Sequence, residues 1–167
     1  SKTGGLGDVG GALPAALGRL GHRVTVVLPA YPGTPALPET AAWPPGSWLG
    51  APDVRVRDLE AGGGVRLRFV DCPAYFGREG LYGTAAGDYR DNDRRYALLC
   101  RTALEAAARL GERVDVLHAH DWQGGLAPAY LAVRFAGHPV FSRTGSVFTI
   151  HNRAYQGMFP RDVLPGL

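Results

Sequence analysis

The chain has 167 residues, 46% hydrophobic and 20% charged, enough apolar content to bury one sizeable core and too much for extended disorder. Its 18 basic and 15 acidic residues leave a net charge of +3, too small and too evenly mixed for a nucleic-acid footprint, and no stretch approaches the roughly 20 apolar residues of a membrane span. Cys72 and Cys100 are too few for a disulfide framework and lie in apolar segments, so they read as buried reduced thiols of a cytoplasmic protein.

One domain over residues 1–167 is the working expectation. Because the chain starts at Ser1 inside what reads as a loop, it is expected to be a fragment of a longer protein. The opening Ser1-Lys2-Thr3-Gly4-Gly5-Leu6-Gly7-Asp8-Val9-Gly10-Gly11 carries five glycines and predicts a loop. Apolar residues at 9, 13, 16, 17 and 20 then predict a helix ending near Gly21. Val24-Thr25-Val26-Val27-Leu28-Pro29 predicts a strand buried on both faces of a parallel sheet.

Residues 30–52 are proline-rich without periodicity and predict a long irregular surface excursion. Residues 54–57 and 65–70 alternate strictly around Gly62-Gly63-Gly64, the pattern of a half-exposed hairpin in an edge or side sheet. From Asn92 to Leu110, apolar residues at 96, 99, 100, 103, 104, 107 and 110 mark an amphipathic helix closed by Gly111. A strand over 114–118, a helix over 125–135 and a strand over 147–151 complete a β-α-β order. The fold class is therefore α/β, a Rossmann-like parallel sheet with flanking helices.

Ligands in such sheets bind beyond the carboxyl ends of the strands, which singles out three segments. A loop with Gly4, Gly5 and Gly7, feeding a helix N-terminus beside Lys2, is a possible phosphate cradle, or only a tight packing turn. The run His118-Ala119-His120-Asp121-Trp122 reads three ways. A metal site is disfavoured, because 118 and 120 are expected on opposite faces and no Cys or Glu cluster completes a ligand set. A bland alternative has Asp121 capping the helix near Gly125, and a third has Asp121 and Trp122 binding sugar. The run His151-Asn152 offers donors and acceptors suited to sugar hydroxyls, or a satisfied histidine and an Asn turn. Tyr82, Tyr89 and Asp91, in the loop from Arg78 to Asn92, contact a ligand or cap the next helix. There is no nucleophile motif and no pair of close carboxylates, so hydrolase chemistry drops out.

Read together and in order, Lys2-Thr3-Gly4-Gly5-Leu6-Gly7-Asp8-Val9, His118-Ala119-His120-Asp121-Trp122-Gln123 and Phe148-Thr149-Ile150-His151-Asn152-Arg153-Ala154-Tyr155-Gln156-Gly157 resemble the bacterial glycogen synthase and starch synthase family. The similarity extends to Tyr82-Gly83 and Asp91-Asn92 and is least informative over 30–52. It implies the N-terminal, acceptor-side half of a GT-B glycosyltransferase, with the first strand and the C-terminal nucleotide-binding domain outside this chain. It also implies a metal-independent, retaining transfer of glucose from ADP-glucose, or UDP-glucose, to the non-reducing 4-hydroxyl of an α-1,4-glucan, with no cofactor. By the same resemblance Lys2, Gly4, Gly5 and Asp8 belong to the donor's phosphate and glucose site. Asp121 and Asn152 hold glucose hydroxyls, His151 sits beside the reacting sugar, and Tyr82 lines the pocket. Lys2, Asp121 and His151 are the expected catalytic set. Basic residues on the phosphates and a key glutamate are expected from the other domain, so this chain alone is expected to be inactive. Arg153 stands where the family usually has an aliphatic residue, and reads as a solvent-facing change, a contact to the other domain or altered specificity. Gln123 is a milder variant at a tolerant position. Two other readings are a non-catalytic module binding glucan or nucleotide sugar, and another GT-B enzyme of the sucrose or trehalose type.

Overall fold

The computed structural model describes residues 4–43 and 53–166. The chain divides into two compact units between Arg78 and Glu79.

The first unit begins with helix α1, Gly4–Arg19, so the expected glycine loop is helical from Gly4 onward. Each glycine costs about 1 kcal/mol in a helix relative to alanine. That cost is offset by a stripe of Leu6, Val9, Leu13 and Leu17, all partly buried, around a buried Pro14. The helix packs against strands β1, Val24–Pro29, and β4, Val65–Asp71. Gly18 marks the closest approach, since a Cβ there would lie 2.1 Å from the carbonyl oxygen of Gly63.

The sheet order is β1-β4-β3-β2, where β2 is Glu39–Trp43 and β3 is Val54–Gly62. β1 runs parallel to β4 from Val24↔Val65 to Pro29↔Val70, and the other two pairings are antiparallel. Three expectations change here. The hairpin expected at an edge supplies the two inner strands, because β4 pairs with β3 on one side and β1 on the other. β1 is only partly buried rather than buried on both faces, and among the described residues it stands at the edge of the sheet. The proline-rich segment contains β2, whose Ala41 and Trp43 are buried on alternate positions against β3; residues 44–52 lie outside the described residues. Glycines 62, 63 and 64 all have positive φ, as a turn of that tightness requires. Arg68, 1% exposed, is tolerable inside the sheet because Asp58 on the neighbouring strand accepts from its Nε at 2.9 Å and its Nη2 at 2.6 Å. A short helix α2, Pro73–Phe76, buries Phe76 and ends the unit.

The second unit opens with a two-residue pair, β5 (Gly83–Thr84) and β6 (Gly87–Asp88), followed by helix α3, Asn92–Arg109, within a residue of expectation. Gly111, at φ 66°, ends it as expected: its N–H reaches Ala108 O and the Glu112 N–H reaches Ala107 O, the Schellman pattern. Strand β7 is Val116–His120, two residues later than its apolar run suggested. A short helix α4, Asp121–Gly124, and helix α5, Leu126–Val133, lead to strand β8, Gly145–Thr149, parallel to β7 from Val116↔Gly145 to His120↔Thr149. Cys100, Leu104, Ala107, Ala119, Tyr130 and Phe141 form its core. Both cysteines are free and buried, and burial pushes the Cys100 thiol up to about 12. Among the described residues, no helix is long and apolar enough to cross a membrane.

Gly18→Ala tests the packing of α1. Helix propensity alone favours alanine by about 1 kcal/mol. The contact with Gly63 should reverse the sign, destabilising the protein by about 1–3 kcal/mol of overpacking strain in urea unfolding; a stabilised variant would mean that α1 does not approach the hairpin this closely.

Candidate functional site

The carboxyl ends of β7 and β8 lie side by side, and the two histidine-bearing motifs follow them. Asp121 has φ 50°, the one positive value among described non-glycine residues, a strained conformation that aspartate tolerates better than most. Its carboxylate is buried, and Oδ1 accepts the backbone N–H of His151 at 2.6 Å and of Asn152 at 3.3 Å. The alternative in which Asp121 caps the helix near Gly125 does not hold: Asp121 is itself the first residue of α4, and it braces the loop after β8. Asn152 closes an Asx turn, its Oδ1 accepting from Ala154 N–H at 3.0 Å, which leaves Nδ2 available to a ligand.

His118 and His120 share one face of β7, as residues two apart in a strand must, so the expectation of opposite faces is corrected. Their rings stack at 4.1 Å, and the His120 and His151 rings stack at 5.2 Å, only 13° from parallel. His118 Nε2 lies 2.8 Å from Thr149 Oγ1, and His120 Nδ1 lies 3.0 Å from His151 Nε2. Burial lowers the His120 pKa, and the neighbouring His118 and His151 lower it further. Among the described residues no three His, Cys, Asp or Glu side chains converge as a metal set.

Tyr82 is held from three directions. Its hydroxyl accepts from Gln123 Nε2 at 2.9 Å, its carbonyl accepts from Asn92 Nδ2 at 2.8 Å, and the adjacent Leu81 carbonyl accepts from Arg95 Nη2 at 3.1 Å. Burial raises the pKa of its phenol. Gln123 thus occupies a structural position and not the indifferent one expected of it. Arg95, fully buried beneath the rings of Tyr89 and Tyr96, was missed in the sequence; its signal is an arginine next to Tyr96 on the apolar flank of α3.

Trp122 centres an aromatic cluster, 4.8 Å from Tyr96, 5.7 Å from Phe159 and 6.0 Å from Tyr82. Gly157, at φ 58°, lies flat against its ring, and a Cβ there would fall 2.3 Å from Cδ2. Two clefts of about 480 and 470 Å³ share Trp122, Gln156, Gly157 and Phe159 as walls. Neither is lined by Asp121, His151 or Asn152. Arg153 is exposed, and its carbonyl accepts from Gln156 Nε2.

The structure thus brings Tyr82, Asp121, His151 and Asn152 into one unit. Gly4, Gly5 and Asp8 belong to α1 of the first unit, where Asp8 is exposed, and Lys2 lies outside the described residues.

Parallel ladders and crossover helices define a Rossmann-like α/β protein, with hydrogen-bonding groups at the strand carboxyl ends where such folds bind ligands. Residues 1–167 match the family described as starch synthase catalytic domain. A glycogen synthase of Koribacter versatilis is 46% identical over 99% of this chain and 34% of its own length; one of Myxococcus xanthus is 47% identical over 100% and 36%. The catalytic domain of starch synthase IV from Arabidopsis thaliana, solved bound to ADP and acarbose, superposes with a TM-score of 0.73 at 29% identity, covering 93% of this chain and 32% of that one. The chain belongs to the starch synthase catalytic domain family, as the N-terminal half of its GT-B fold. It spans about a third of the length of the relatives it matches.

Two predictions follow from this geometry. Gly157→Ala should displace Trp122 and cost about 1–3 kcal/mol, seen as an altered tryptophan emission together with a lower unfolding midpoint; an unchanged spectrum would contradict the contact. The second concerns pH. With the folded-state pKa of His120 below its ordinary 6.5, the unfolded chain takes up the proton first as pH falls. Its contribution to stability is full above 6.5 and is lost as pH drops toward the folded-state value. His120→Asn should therefore lose less stability than the wild type between neutral and mildly acidic pH, and equal losses would argue against the shift.

Proposed function

We propose that this chain supplies the acceptor-side half of a glycogen synthase, an enzyme that transfers glucose from ADP-glucose to the non-reducing end of an α-1,4-glucan with retention. The observation that carries the reading is the joining of the second and third motifs, by Asp121 Oδ1, into one hydrogen-bonding surface at the ends of β7 and β8. The starch synthase IV domain bound to ADP and acarbose supports an adenine nucleotide as leaving group.

In this reading a second Rossmann-like domain, encoded with this chain, supplies most of the nucleotide site, and neither half works alone. The reaction breaks the bond between the anomeric carbon and the phosphate oxygen, and negative charge grows on the departing diphosphate. Lys2 and the N–H groups at the start of α1 are suited to stabilise that charge. His151 and Asn152 present hydrogen-bonding groups to glucose hydroxyls. Asp121 holds both residues by their backbones through Oδ1 and keeps Oδ2 for a direct contact. Tyr82, its hydroxyl held by Gln123, stands in this reading beside the glucose site.

The test is incorporation of labelled glucose into glycogen by the full-length protein. Activity with ADP-glucose is expected, and Lys2→Ala and Asp121→Ala should each lower kcat/KM by about 10²–10³-fold. Both variants remaining within a few-fold of wild type would sink the site assignment. Glycogen binding without transfer from either ADP-glucose or UDP-glucose would replace the enzyme reading with a binding module.

A further inference from the structure

The geometry points to His120 as a positioning residue for His151: its Nδ1, bonded to His151 Nε2, fixes that ring and leaves His151 Nδ1 as the nitrogen free for a ligand. This rests on the proposed function, because it assigns the exposed atom of a residue read there as bonding glucose hydroxyls.

His151 is exposed, and an exposed imidazole ordinarily samples several rotamers and both tautomers. Here both its parts are restrained. Its backbone N–H is held by Asp121 Oδ1 at 2.6 Å, and its Nε2 is held by His120 Nδ1 at 3.0 Å. His120 is itself backed by the stacked ring of His118, which is tied to Thr149 Oγ1 at 2.8 Å. The order is a relay of supports, each ring fixed by the one nearer the core of the ladder. None of these supports needs a ligand to be present, so the ring is oriented before substrate arrives.

The facing nitrogens hold one proton between them. Two N–H groups pointing at each other would repel, and two lone pairs would do the same, so the bond exists only with a single shared proton. The titratable groups around His120 are His118 and His151, which oppose its protonation, and Asp121, which favours it. Protonating both His120 and His151 places N–H against N–H and releases the His151 ring. Activity should therefore fall at acid pH in a way that depends on the His120 nitrogen.

Two substitutions in the full-length protein separate positioning from support of the fold. His120→Phe keeps a ring between His118 and His151 but has no nitrogen; kcat for glucosyl transfer should fall about tenfold, the worth of one side-chain hydrogen bond, with KM for ADP-glucose within about twofold. His120→Asn restores a hydrogen-bonding group that does not titrate; it should recover most of kcat at neutral pH and shift the acid limb of the pH profile. An undiminished kcat in the phenylalanine variant, or an acid limb unmoved in the asparagine variant, overturns the proposal. A wild-type protein that transfers no glucose overturns the functional reading and leaves this one to long-range 1H–15N spectra of histidine-labelled protein. There His120→Phe should shift the His151 Nε2 resonance, and an unshifted resonance overturns the positioning role.

Discussion

A single buried carboxylate joins the two strand ends that carry the candidate site. β7 and β8 are parallel, so no tight turn can connect them, and their carboxyl ends are linked in sequence only through α4, α5 and a long return. A two-stranded ladder by itself is marginal in water. The face carrying Leu117 and Ala119 is secured by packing toward α3 and α5, but packing on one face does not set the path of the chain beyond β8. Asp121 does so from the end of β7. Its desolvation is offset by two backbone N–H groups, and hydrogen bonds to an ionised acceptor are about twice as strong as neutral ones. The left-handed backbone at Asp121, which costs on the order of 1–3 kcal/mol, accompanies that carboxylate placement.

The loop that carries Tyr82 is governed by the same logic. Residues 79–91 contain only two very short strands, and little of their chain is held by a ladder. Arg95 and Asn92, both buried on the first turn of α3, reach back to the carbonyls of Leu81 and Tyr82, while Gln123 fixes the Tyr82 hydroxyl from the other side. Trp122 then gives the loop and the segment around Gly157 a common surface. A glycine is required at 157 for two independent reasons, the positive φ and the indole ring where a side chain would be.

Elements whose reason is local were legible in the sequence. The periodicity of α3 and the cap at Gly111 gave its limits to within a residue, and the glycine triplet flanked by alternating strands gave the β3–β4 hairpin. What could not be read depends on partners distant in the chain. The glycines of α1 argue locally for a loop, and only the apolar stripe packing on β1 and β4 makes them helical. β2 hides in proline-rich surroundings because two buried side chains, Ala41 and Trp43, are too few to show a period. β7 runs past its apolar residues through His118 to His120, since the ladder with β8 supplies pairing where hydrophobicity stops. The candidate site residues stand out in the sequence as motifs, and a family resemblance implies roles for them. The histidine stack does not stand out, because it follows from the register that sets His120 opposite Thr149, a long-range pairing with no local signature.

Burial separates the residues that hold from the residues that present. Asp121, Arg95 and Asn92 are 6%, 0% and 4% exposed, whereas His151 and Asn152 lie at the surface. A polar side chain in the interior needs a hydrogen-bond partner, and that bond fixes its geometry. An exposed one is free to exchange water for a ligand but has no fixed direction of its own. Coupling the two kinds through backbone N–H groups and through ring nitrogens gives exposed groups the rigidity of buried ones while leaving one hydrogen-bonding position open on each. In the proposed transfer, where charge grows on a departing diphosphate, that arrangement would place the orienting cost in the folding of the domain and not in the transition state.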